Sequence, residues 1–161
     1  MGKAWTNAKK KDGMDSGWES DFKNFLDELK IKYEMQPKFI LQPKFKKDNK
    51  IIREIIYKAD FKLENELVID IKGMSTAVFL IKKKMLYFTN KNINFIELIK
   101  APKYIINNFN CEWLEKQSFI KIKKQLKNIK SYKEKNLVVS KMNVQPIKIR
   151  EKIICLYLKE E

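Results

Sequence analysis

The stretch from Tyr57 to Gly73 carries the residue types from which a phosphodiester-cleaving site is built. Asp60 lies in Tyr57-Lys58-Ala59-Asp60-Phe61, and Asp70 and Lys72 follow in Val68-Ile69-Asp70-Ile71-Lys72-Gly73. Side chains of an extended strand alternate faces, so Asp70 and Lys72 leave one face together, with Leu67, Ile69 and Ile71 on the other. If Asp60 joins them, two carboxylates about 4 Å apart repel by roughly 4 kcal/mol at an effective dielectric of about 20. A divalent cation, a proton or the nearby ammonium must offset that cost.

Register decides whether the two acids meet. Opposed residues of an antiparallel pair share a face, so Asp60 faces Asp70 only if paired numbers sum to about 130. That requires a three-residue loop, Glu64-Asn65-Glu66, with Leu63 opposite Leu67 and a left-handed backbone at the Asn or next to it. A two-residue Glu64-Asn65 loop puts the acids on opposite faces.

The elements that must position these residues are legible in outline. Residues 1–15, with Lys3, Lys9, Lys10 and Lys11, read as a flexible basic arm, either a plain tail or a DNA-gripping one. Ser16-Gly17-Trp18-Glu19 has the S-x-x-E form of a helix start, and Phe22, Phe25, Leu26, Leu29 and Tyr33 continue the pattern over 16–33, with Trp18 in the core. Gln-Pro-Lys-Phe occurs at 36–39 and again at 42–45, which confines a strand to about 38–42 or to a sheet edge. Residues 46–50 read as a solvated turn, Ile51 to Leu63 as one strand rich in β-branched residues, and Leu67 to Lys72 as the next.

Gly73 ends that strand, and Ser75 or Thr76 caps a second helix reaching Phe88, with Ala77, Ile81, Met85 and Phe88 on its buried side. Ile93 to Ile99 reads as a fourth strand. Beyond Pro102, 103–116 reads weakly as helix and 118–130 as a basic helix. The segments 137–144 and 147–158 read as a hairpin through Gln145-Pro146.

Composition bounds the chemistry. The 161 residues suit one domain with its own core. Lys plus Arg number 35 against 20 Asp plus Glu, net +15, which points to a polyanionic partner, although a Lys-, Ile- and Asn-rich usage also arises from AT-biased coding. Without histidine and with only Cys111 and Cys155, four-ligand zinc sites, four-cysteine clusters and histidine bases are out. A bound metal is then oxygen-ligated and hard, Mg²⁺ or Mn²⁺. The cysteines read as one core and one surface thiol in a reducing cytoplasm. No apolar run of membrane-spanning length is present, so the expectation is an intracellular protein with no membrane partner.

The order helix, strand, strand, strand, helix, strand over 16–99, joined to Asp60, Asp70 and Lys72, resembles the PD-(D/E)XK nuclease superfamily. Leu41-Gln42-Pro43-Lys44-Phe45, Tyr57-Lys58-Ala59-Asp60-Phe61 and Asp70-Ile71-Lys72-Gly73 ahead of a basic helix look like a bacteriophage family of nuclease-like proteins related to Holliday-junction resolvases. The resemblance covers about residues 16–100. It implies an α/β fold with a restriction-endonuclease-like core (helix, three antiparallel strands, helix, strand) at 16–100 and a basic C-terminal extension at 101–161 packed on it. It further implies that Asp60, Asp70 and the Ile71 carbonyl ligate Mg²⁺ or Mn²⁺, that Glu19 completes the metal site, and that Lys72 acts on the attacking water and the phosphate. Asp70 stands where many relatives carry Glu, which shortens the reach by one methylene.

Each residue also has a plainer use. Glu19 occupies the third position of a capping box, Asp60 can pair with Lys58 or Lys62, and Asp70 with Lys72 can be an exposed ion pair. Lys82, Lys83 and Lys84 form either a solvated helix face or a phosphate clamp. With Lys44, Lys46, Lys47, Lys50, Arg53, Lys121, Lys123, Lys124 and Lys127 they are the candidate nucleic-acid contacts. Lysine dominance favours recognition of backbone shape over base edges. The expected function is a Mg²⁺-dependent DNA endonuclease selective for branched DNA, phage-encoded and acting in a bacterial cytoplasm, with a homodimer implied by the junction-resolving relatives. The alternatives are a nuclease trimming ends or flaps, and an inactive nuclease-fold protein that binds nucleic acid.

Overall fold

A computed structural model describes residues 17–158, so the basic arm at 1–15 and Ser16 lie outside the described residues. The architecture is mixed α/β. The chain divides into two compact units, one of residues up to Lys30 together with those from Glu97 onward, the other of Ile31–Ile96. The chain boundary at Ile96 lies close to the one read at 100/101, but the first helix groups with the C-terminal residues.

That helix, α1 (Gly17–Glu28), buries Phe22, Phe25 and Leu26 along with Glu19 and Ser20. It is shorter than the expected 16–33. Lys30 turns left-handed at φ 54° and Tyr33 already belongs to a strand. Arg150 donates to the Leu29 carbonyl at 2.6 Å and so satisfies an acceptor just past the helix end. Trp18, expected in the core, is 37% exposed.

The unit of Ile31–Ile96 contains β1 (Tyr33–Met35), β2 (Lys38–Gln42), β3 (Phe45–Lys47), β4 (Lys50–Ile52), β5 (Ile55–Lys58), β6 (Phe61–Leu63), β7 (Leu67–Ile71) and α2 (Ala77–Thr89). Strands β1, β6 and β7 pair antiparallel in that order, while β2 pairs with β5 and β3 with β4. The single strand expected over 51–63 is thus three strands. It changes partner at Ala59-Asp60, where the Ala59 N–H goes to the Pro37 carbonyl (3.1 Å) and the Asp60 N–H to the Ile69 carbonyl (3.2 Å). β-Propensity marks extended backbone but not which neighbour it pairs with. The expected turn at 46–50 is the tip of the β3–β4 hairpin, with Asp48 and Asn49 both left-handed (φ 48° and 60°), the backbone that a two-residue hairpin loop requires.

Thr76 caps α2 by accepting from the Phe79 N–H at 3.1 Å, and Asn90 closes it. The helix is rotated relative to expectation. Phe79 and Leu86 are buried and Met85 is partly so, whereas Ile81 and Phe88 are 60% and 79% exposed. The buried side joins Leu41, Tyr57, Ala59 and Val68 in one apolar cluster.

The other unit continues with β8 (Asn94–Lys100), the strand within which the chain passes between units, then α3 (Lys103–Phe109), β9 (Cys111–Glu115), α4 (Lys116–Gln125), α5 (Tyr132–Ser140), β10 (Val144–Ile149) and β11 (Lys152–Leu158). Here β8 pairs antiparallel with β9, β9 parallel with β11, and β11 antiparallel with β10. The helix expected over 103–116 ends at Phe109, where Asn110 takes a left-handed φ of 48° and lets the chain re-enter as a strand. The basic helix expected over 118–130 is α4, and residues 137–140 are helical. The C-terminal hairpin turns at Arg150-Glu151 (Arg150 φ 53°), with Pro146 at a bulge in β10.

The core of this unit gathers Ile99, Ile105, Leu114, Ile122, Leu126 and Val139. Phe22 packs edge-on against Trp113, ring centroids 4.9 Å apart. Cys111 and Cys155 are joined as a disulfide between β9 and β11 and are 1% and 0% exposed, which corrects the reading of one core and one surface thiol.

Candidate active site

Strand β7 is buried along its whole length, so Asp70 interrupts an otherwise apolar strand covered on both faces. Pairing of Phe61 with Ile69 and of Lys62 with Val68 gives the register that sums to 130, and so the three-residue loop. Glu66, beside Asn65, takes the left-handed backbone (φ 62°). Its N–H goes to the Leu63 carbonyl at 3.0 Å, and the Asn65 side chain accepts from the Leu67 N–H at 3.2 Å. Lys62 pairs with Glu66 at 2.7 Å, and that hydrogen bond raises the lysine pKa above its ordinary value. With this register Asp70 stands on the same face as Val68, toward the cluster of Tyr57 and Phe79, while Asp60 lies in the bend just before β6.

Asp70 has no solvent exposure. Its Oδ2 accepts from the Tyr57 hydroxyl at 2.7 Å and lies 3.3 Å from the Lys72 ammonium. Its Oδ1 is buried and, among the described residues, has no hydrogen-bond partner. The exposed ion pair weighed for Asp70 and Lys72 is therefore not what forms, since the Asp70 side chain is 1% exposed and that of Lys72 31%. The Lys72 ammonium is also 5.4 Å from the centre of the Phe79 ring, a cation–π contact that holds it at the edge of the buried carboxylate. Asp60, half-buried, accepts from the Ile71 N–H through Oδ2 at 2.6 Å, which ties the end of β7 to the loop before β6.

A buried carboxylate oxygen left without a donor costs free energy in either protonation state, and such groups in native structures call for an explanation such as an ion or an ordered water. A hard divalent cation accepts oxygen donors of this kind, and Asp70 Oδ1 suits one chemically. Among the described residues no group of three or more His, Cys, Asp or Glu side chains is placed to hold a metal ion. Glu19, the third donor expected from sequence, belongs to the other unit and is buried there on α1.

Tyr57 was not singled out in the sequence, although its place three residues before Asp60 and its hydroxyl gave a signal once β5 is laid beside β2 with Phe39 opposite Tyr57. Of the three helix lysines, Lys82 donates to the Ile56 carbonyl at 2.9 Å, and Lys83 lies 5.6 Å from the Tyr87 and Phe95 ring centres. Only Lys84 is exposed, because the rotation of α2 turns the other two inward. Lys121, Lys123, Lys124 and Lys127 are exposed on and just after α4, and Lys44, Lys46, Lys47, Lys50 and Arg53 are exposed on and around the β3–β4 hairpin. No helix among the described residues is long and apolar enough to cross a membrane.

Fold and site together define a mixed α/β protein with a buried Tyr57–Asp70–Lys72 cluster at the end of a strand covered on both faces. The chain belongs to the DUF1064 family, described as a protein of unknown function, whose model matches residues 11–106 and so spans β7, α2 and the whole cluster. No curated protein and no solved structure matches the chain.

Proposed function

We propose that the protein is a divalent-metal-dependent nuclease acting on DNA, with its chemistry centred on Asp70. The observation that carries this reading is the buried, partnerless Oδ1 of Asp70 beside a lysine that reaches solvent. An antiparallel β6–β7 pair with Asp70 on β7 and Asp60 just ahead of β6, followed by α2, supports the restriction-endonuclease-like core that the sequence resemblance implies.

In this reading Asp70 Oδ1 and the Asp60 carboxylate would hold Mg²⁺ or Mn²⁺, with the Ile71 carbonyl as a further ligand, and the bound metal would supply Lewis-acid stabilisation and a more acidic water. Tyr57 fixes the Asp70 rotamer by its hydrogen bond, so that the other oxygen stays aimed at the site. Lys72, pinned between Asp70 Oδ2 and the Phe79 ring, would place its ammonium where a phosphate gains negative charge during cleavage. Exposed lysines on the β3–β4 hairpin and α4 would hold the backbone, and branched DNA and a homodimer are the substrate and state that the resemblance favours.

The test is cleavage of linear, flapped and four-way DNA in Mg²⁺ by the parent and by Asp70→Asn, with binding measured in Ca²⁺. Loss of at least about 100-fold in rate with binding retained is expected, and equal cleavage by both proteins would refute the proposal. A second reading, an inactive nuclease-fold protein that binds nucleic acid, is favoured by the lack of a three-donor group among the described residues. It expects Asp70→Asn to leave every measured property of DNA binding unchanged and no cleavage by the parent.

A further inference from the structure

Twelve consecutive residues, 43–54, are all exposed, although six of them form the paired strands β3 and β4. A two-stranded ribbon that buries nothing is marginal by itself. This one is anchored at its base, where the Gln42 side-chain amide donates to the carbonyls of Pro43 (3.2 Å) and Arg53 (3.3 Å), joining the roots of both strands. Below that point β2 and β5 continue the hairpin into the apolar cluster through Leu41 and Tyr57. The ribbon is thus a fixed extension of a packed hairpin.

Its chemistry points to a polyanion. Lys44, Lys46, Lys47, Lys50 and Arg53 face only Asp48 and Glu54, and among the described residues none of the five cations forms a salt bridge. The register puts Phe45, Ile52, Lys47 and Lys50 on one face and Lys46 and Ile51 on the other, so both faces mix charge with apolar surface. Phe45, Ile51 and Ile52 are 44%, 64% and 38% exposed. A second copy of this chain is disfavoured as occupant, because it brings the same five cations and a net charge of +15. A single strand is disfavoured because stacking platforms need several aromatic rings, and the ribbon has one. Three residue pairs at about 3.3 Å each give close to 10 Å of ribbon, a match for a major groove about 8.5 Å deep and wide enough for two strands.

We propose that the β3–β4 hairpin is a groove-inserting arm for double-stranded DNA, its lysines contacting phosphates on both sides and Ile51 contacting the groove floor. The inference deepens the nuclease reading, on which it rests for the identity of the nucleic acid, by naming a duplex as the substrate form.

The test measures binding of a labelled short duplex and of the same-length single strand as a function of salt, using the parent, the triple variant Lys46→Ala/Lys47→Ala/Lys50→Ala, Ile51→Ser and Asp70→Asn. Circular dichroism checks that each is folded. For the triple variant we expect duplex affinity to fall about 10- to 100-fold, the salt slope to flatten by roughly 2 to 3, and single-strand binding to change less. Ile51→Ser should weaken duplex binding with the slope intact. Unchanged duplex affinity in the triple variant, or equal losses on duplex and single strand, overturns the arm and leaves the nuclease reading standing. Ribbon-dependent duplex binding by a parent that cleaves nothing supports the arm and removes the nuclease reading alone.

Discussion

Asp70 is held by two different kinds of contact, and they respond differently to mutation. The Tyr57 hydroxyl gives a neutral donor inside the apolar cluster, whereas Lys72 gives a charge from the solvent side. Deleting the hydroxyl leaves a buried carboxylate with less compensation, and such a loss costs about 1–3 kcal/mol. Tyr57→Phe should therefore lower the free energy of unfolding by that amount, read as a lower urea midpoint with an unchanged slope, and an unchanged midpoint would show that the bond contributes nothing. Divalent metal provides the complementary measurement. Mn²⁺ should raise the thermal midpoint of the parent, since a ligand that binds only the folded state stabilises it by mass action, and it should do so much less for Asp70→Asn. Equal shifts in the two proteins would place any metal elsewhere. The loop length that sets the register was open between two and three residues, but that Asp70 and Lys72 lie together was legible from strand period. The tyrosine was not, because the β5 residue that reaches Asp70 is 13 positions away and meets it only when β5 and β7 pack into one cluster.

At the scale of elements, the β6–β7 turn sets the site, because a register slip of one residue would put Asp60 and Asp70 on opposite faces. Glu66 carries the strained, left-handed backbone of that turn at φ 62°. Glycine adopts this conformation freely, so Glu66→Gly should leave stability unchanged or raise it by up to about 1 kcal/mol, while the β-branched Glu66→Val should lower it by about 1 kcal/mol or more. Thermal unfolding of the pair checks this, and a glycine variant weaker than the valine one would contradict the assigned geometry. Helix α2 shows the limit of periodicity. Its spacing marks a helix and Thr76 marks its start, yet Val78, Leu80, Ile81 and Phe88 face solvent while Lys82 and Lys83 are partly buried. An apolar stripe wide enough to face several ways leaves rotation to the neighbours, here Leu41, Tyr57 and Val68.

For the whole molecule, the disulfide and the charge matter most. Cys111 and Cys155 lie 44 residues apart in sequence and close a loop that contains α4, α5 and β10. On chain-entropy grounds a loop of that size stabilises by about 4 kcal/mol. Protein reduced under denaturing conditions and then refolded in reductant should unfold at a clearly lower urea concentration than oxidised protein, and coincident midpoints would contradict the bridge. Because Cys111 and Cys155 are 1% and 0% exposed, the bridge in native protein should also resist added thiol reductant until the chain is unfolded. If the protein binds a polyanion as proposed, the charge of +15 predicts an affinity that weakens steeply with salt.

The sequence by itself determined what short-range rules govern: the α/β alternation over 17–100, the strands at 38–42 and 67–71, a helix start at Ser75 or Thr76, a turn after Leu63 and the nearness of Asp70 and Lys72. These follow from side-chain period, capping chemistry and loop length, which act within a few residues. Tertiary structure alone decided that Asp70 is wholly buried, that Tyr57 and not solvent satisfies one of its oxygens, that 51–63 breaks into three strands with different partners, and that two distant cysteines meet. Each of those depends on which surfaces pack together, and packing is set by contacts between residues far apart in the chain, whose pairing no local pattern encodes.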